Sequence, residues 1–79
     1  MLKRMLVWFD KTLNTQIGEE SIDKVDVTEL HRLFDVDDVD VDVIFAYPLT
    51  ENEQVLYLQS FVRHKITIQN YDYFIDCYI

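Results

Sequence analysis

The chain predicts an α+β fold, a four-stranded antiparallel sheet with one face covered by one or two short helices, and three observations lead there. Residues 2–10 and 71–79 alternate in character with the period of a strand. Two helix-start signals, at Asp26 and Thr50, are each followed by apolar residues at helical spacing. The chain is 79 residues long and 49% hydrophobic, with one Gly and one Pro, which fits one compact domain over residues 1–79 and leaves little linker material. A domain of this size buries about 60% of its unfolded surface, so an enclosed active site has little room.

In the first strand Leu2, Arg4, Leu6 and Trp8 share one face, and Lys3, Met5, Val7 and Phe9 share the other. Trp8 is its best core residue, and Phe9 points the opposite way. Lys11 to Thr15 reads as a turn, with Asn14 the residue best able to take a left-handed conformation. Gln16 to Ile22 then pairs back as a second strand, and Gly18 inside it predicts a bulge or a close contact. Glu19 and Glu20 follow as the first paired acids.

Asp26 with Glu29 three residues on marks a helix start, and Val27, Leu30, Leu33 and Phe34 form its apolar stripe. His31 and Arg32 fall on the polar side. The aspartate-rich stretch 35–43 invites a calcium reading, because Asp38, Asp40 and Asp42 match the first three ligand positions of an EF-hand loop. Val43 then stands where the glycine must turn and Leu49 where the bidentate Glu belongs, so no metal is expected. What remains is a self-repelling, poorly structured loop running into a third strand, Val41 to Tyr47, interrupted by Pro48.

Thr50 with Glu53 reads as a capping box, and Val55, Leu58, Phe61 and Val62 supply the stripe of a second helix. Arg63, His64 and Lys65 would close it, their positive charge complementing the dipole. Ile66 to Ile68 is a short extended segment, and Gln69 and Asn70 turn into the last strand.

In that strand Tyr71, Tyr73, Ile75, Cys77 and Ile79 form a core face, whereas Asp72, Phe74, Asp76 and Tyr78 share the other. Aromatic side chains set between carboxylates on a solvent face read as a binding surface. The alternative is a strand buried on both faces.

Charge narrows the partners. Seven Lys and Arg stand against fifteen Asp and Glu, for a net charge of -8, and residues 19–53 alone carry twelve acids with Lys24 and Arg32. Such a field repels nucleic acid and anionic membrane and attracts a basic partner, although acidity also serves solubility alone. The lone cysteine, Cys77, makes neither a disulfide nor a zinc site, and the apolar run at the N-terminus stops at Asp10, short of a signal peptide or a membrane span. A reducing cytoplasm is the natural compartment. No nucleophile with a nearby base, ligand cluster or phosphate loop is present, so neither catalysis nor a cofactor is expected.

The pattern Trp8-Phe9-Asp10-Lys11, then Gly18-Glu19-Glu20, then Leu58-Gln59 followed by Phe61, His64, Ile66, Ile68, Tyr73, Phe74 and Tyr78 resembles the cloacin-type colicin immunity proteins. The matched positions lie outside residues 21–57. The resemblance implies a small acidic inhibitor that binds the basic ribonuclease domain of a bacteriocin, a toxin that attacks small-subunit ribosomal RNA. Similar proteins accompany contact-dependent inhibition toxins. On this reading the matched positions Phe9, Glu19, Glu20 and Phe74 contact the toxin, and Tyr47 joins them because it lies near the strand where that family discriminates between toxins. The strand reading adds Asp72 and Asp76. Two other classes of function stay open: an acidic nucleic-acid mimic built on the ladder from Asp35 to Asp42, and an adaptor that pairs its last strand with a partner's sheet edge.

Overall fold

A computed structural model describes residues 2–40, 42, 43 and 45–78. Its elements in chain order are β1 (Lys3–Asp10), β2 (Gln16–Ser21), α1 (Val27–Phe34), β3 (Tyr47–Pro48), α2 (Asn52–Gln59) and β4 (Tyr71–Tyr78). The four strands form one antiparallel sheet in the order β2-β1-β4-β3, so the two long strands from the ends of the chain lie side by side at its centre. Both helices pack on one face. Leu6, Trp8, Tyr73 and Ile75 meet Leu30, Phe34 and Leu58 in a single core.

The hairpin follows the local chemistry. Asn14 takes φ 54°, and the Asp10 carboxylate accepts the amides of Thr12 and Leu13 at 2.8 and 2.7 Å. The register slips at Phe9, where Trp8 faces Gly18 and Phe9 faces Gln16. A Cβ on Gly18 would sit 2.5 Å from Trp8 Cζ2, so glycine here is what lets the indole lie flat on the strand.

Helix α1 starts as its sequence predicts: the Asp26 carboxylate accepts the Thr28 amide at 2.8 Å, and Leu30 and Phe34 are buried. For α2 the cap moves. The N-cap is Glu51, not Thr50, and the reciprocal residue is Gln54, whose Oε1 accepts the amides of Thr50 and Glu51. Gln54 Nε2 also donates to the Leu33 carbonyl at 2.8 Å. One buried amide therefore joins the start of α2 to the end of α1, and on the solvent side Glu53 adds an exposed ion pair to Arg32 of α1 at 2.8 Å.

The third strand is the largest departure. Among the described residues of the expected strand and its Pro48, Tyr47 and Pro48 pair with β4; Val41 and Ile44 lie outside the described residues, and Asp42, Val43, Phe45 and Ala46 are not strand. Turns close at Asp37–Asp40 and Asp40–Val43, and Val43 sits at φ 54°, which interrupts any extended run. The loop is organised around a carboxylate: Asp40 is 2% exposed, and its Oδ2 accepts the Phe45 amide at 2.9 Å and the Tyr47 hydroxyl at 2.7 Å. Charge repulsion alone does not describe it.

Helix α2 ends at Gln59, so the basic cluster at 63–65 lies beyond its last turn. Cys77 falls by register beside Arg4 at the margin of the covered face and is half-buried, not a core residue.

Candidate functional site

The sheet has a face that neither helix covers, and the cross-strand register names its residues. Phe9, Val7, Met5 and Lys3 of β1 stand opposite Asp72, Phe74, Asp76 and Tyr78 of β4. On the outer sides, Val7 is flanked by Glu19 of β2, Phe9 by Gln16 and Phe74 by Pro48 of β3. Val7 is 2% exposed although it is absent from the helix-packed core, so its cover comes from neighbours on this same face. Phe9 and Phe74 are diagonal neighbours over it. Their rings meet edge to face, 5.9 Å between centroids at 82°, and both stay half-exposed.

Three carboxylates ring this pair. Asp72 Oδ1 holds the Lys11 ammonium at 2.7 Å. Glu19 accepts from Gln16 Nε2 at 2.9 Å. Asp76 completes the ring beside Met5. The Tyr78 phenol is raised above its usual pKa, first by partial burial and then by the negative charges of Glu19 and Asp76, so it stays a donor at neutral pH. With Lys3 and Lys11 at its margins this face is close to neutral. Most of the negative charge lies in residues 19–53.

Of the residues expected at a partner surface, Phe9, Glu19, Asp72, Phe74 and Asp76 share the open face. Glu20 and Tyr47 do not. Glu20 pairs with Leu6 and turns to the helix side, where its two oxygens accept the amides of Arg63 and His64 at 3.0 and 2.7 Å. Those two amides, Arg63 first, hold its carboxyl below the usual carboxylate range. Tyr47 pairs with Ile75 and directs its hydroxyl into the Asp40 loop, where the Asp37 amide also donates to it at 3.3 Å. Its phenol is raised, first by burial and then by the bond to Asp40.

The helix side also holds a group that sequence reasoning placed elsewhere. His64 stacks on Trp8, with centroids 4.0 Å apart and planes 13° from parallel, and its Nε2 lies 2.7 Å from the Tyr73 hydroxyl. Gln59 holds this segment in place, donating to the His64 carbonyl and accepting the Ile66 amide, both at 2.8 Å. No local signal in residues 60–66 announces that fold-back, because it depends on a glutamate 44 positions away. Trp8, His64 and Tyr73 form a packed polar-aromatic cluster, with the Tyr73 hydroxyl also accepting the Thr67 amide. Among the described residues no group of three or more His, Cys, Asp or Glu is placed to hold a metal ion, and no helix is long and apolar enough to cross a membrane.

Residues 3–76 match a protein family described as a domain of unknown function, DUF7683, and the chain belongs to that family. None of the curated proteins matches it.

Proposed function

We propose that this DUF7683 chain is an immunity protein that binds and neutralises a cognate basic toxin, a ribonuclease domain of a bacteriocin or a contact-dependent inhibition system. The observation that supports the reading is the open face itself. Half-exposed Phe9 and Phe74, set in a ring of Glu19, Asp72 and Asp76, have the make-up of a binding hot spot: central aromatics with a polar rim. The immunity-like pattern carried by Trp8 to Lys11, Gly18 to Glu20 and Phe74 supplies the class of partner.

The charge distribution divides the labour. The acids of residues 19–53 steer a cationic domain into encounter, and the rings at the centre of the sheet hold it once water is displaced. A nucleic-acid mimic needs a regular outward display of carboxylates. Asp40 breaks that display, because its side chain is buried against Phe45 and Tyr47.

The test is to read the genes beside this one and to co-express the chain with a neighbouring reading frame that ends in a basic nuclease domain. A complex that survives purification, in which the toxin no longer cleaves RNA, is the expected result. A neighbouring basic nuclease that neither binds the chain nor loses activity in its presence would overturn the proposal.

A further inference from the structure

A pocket opens at the rim of the uncovered face, where β4 runs past the end of the two-residue β3. Resting on the protein-binding reading above, we infer that this pocket receives one arginine side chain of the basic partner, which displaces the Lys11 ammonium from Asp72. The pocket has a volume of about 280 Å³, and the residues lining it include Pro48, Ile68, Tyr71 and Phe74, with Lys11 and Asp72 as its charged pair. That is at the lower end of small-molecule sites, about 300–1,000 Å³, and is enough for one long side chain. Its chemistry is specific: apolar and aromatic surface with one carboxylate.

A cation already sits there. Lys11 Nζ lies 2.7 Å from Asp72 Oδ1, with the two side chains 42% and 45% exposed. An ion pair that open to water is weak and exchanges readily. Arginine suits the site better than lysine does. Its planar guanidinium stacks on aromatic surface while bonding a carboxylate with two N–H groups, and a lysine ammonium offers a single point charge. Lys11 therefore acts as a placeholder whose removal favours the incoming side chain.

The probe is N-acetyl-arginine amide, titrated into the full chain with the lysine analogue alongside and followed by NMR. The arginine probe is expected to shift the Tyr71, Asp72 and Phe74 resonances saturably, and the lysine probe to bind several-fold more weakly. Lys11→Met, which keeps the aliphatic stem, should tighten the arginine probe about two- to fivefold, the worth of one exposed ion pair. Asp72→Asn should abolish saturable binding. Equal affinity for the two probes, no saturable shift in the unaltered protein, or indifference to Lys11→Met would overturn the inference. The measurement needs no toxin, so the two proposals fail separately. Saturable arginine binding without a toxin complex would sink only the inhibitor reading. A tight toxin complex indifferent to Asp72→Asn would sink only the pocket.

Discussion

Glu19 and Glu20 are adjacent in sequence and opposite in role, and replacing each by glutamine separates partner binding from folding. Glu20 accepts two backbone amides, at 3.0 and 2.7 Å, from the segment that lays His64 on Trp8. A glutamine there keeps one accepting oxygen and turns an NH₂ toward an amide N–H. Hydrogen bonds to charged groups are worth about 1.5–3 kcal/mol each, and the partial exposure of this site reduces the pair to a combined loss of about 1–2 kcal/mol. For a domain of this size each kcal/mol moves Tm by about 4–8 °C, so Glu20→Gln should melt on the order of 10 °C lower. The acid limb gives an independent check. Because the folded carboxyl titrates below its ordinary value of 4.5, its stabilisation is complete above that value and fades as pH falls through the lower folded one. Glu20→Gln should therefore lose stability at pH 7 and lose less than the unaltered protein on acidification below about 4.5. Glu19→Gln, on the exposed strand edge, should change stability by less than about 0.5 kcal/mol and weaken the toxin complex instead. Thermal melts followed by circular dichroism at pH 7 and pH 3.5 decide it. Equal melting temperatures for the two variants would refute the assignment of the two acids to opposite faces.

Three further outcomes follow from the same geometry. Gly18→Ala forces a Cβ into the Trp8 ring and should cost about 1–3 kcal/mol, with a shift in fluorescence from the only tryptophan in the chain; an unchanged emission spectrum and Tm would contradict the close contact. Tyr47→Phe removes a donor from buried Asp40 and should cost about 1–3 kcal/mol with faster amide exchange at Phe45, while leaving toxin dissociation unchanged. Asp38→Asn with Asp42→Asn should slow toxin association and flatten its dependence on ionic strength, as read by stopped-flow mixing, because both aspartates are exposed and act through screened, long-range attraction. An unaltered salt slope would argue against steering by this loop.

The sheet was legible in the sequence because both central strands alternate cleanly, and alternation alone sorted Phe9, Phe74, Asp72 and Asp76 onto one face. The same rule, applied to adjacent residues, requires Glu19 and Glu20 to point to opposite sides, a consequence that reading them as a pair of acids obscured. The helices were found from their stripes, but the cap of α2 shifted to Glu51 because Gln54 gains a second partner, the Leu33 carbonyl, that only tertiary packing supplies. The third strand failed for a related reason. The sequence predicts a strand from Val41 to Tyr47, yet buried Asp40 accepts the Phe45 amide and the Tyr47 hydroxyl, and Val43 takes a left-handed conformation that an extended run does not allow. His64 lay beyond local reasoning altogether, since its position is fixed by Glu20, Gln59, Trp8 and Tyr73.

The uncovered face as the toxin-binding surface is tested most directly by the dissociation rate of Phe74→Ala from the cognate basic nuclease domain, with its melting temperature recorded beside it. Truncating a desolvated aromatic anchor costs about 2 kcal/mol or more, so dissociation should quicken by about 30-fold while association changes little. An off-rate equal to that of the unaltered protein, in a variant that remains folded, would show that the toxin is held somewhere else.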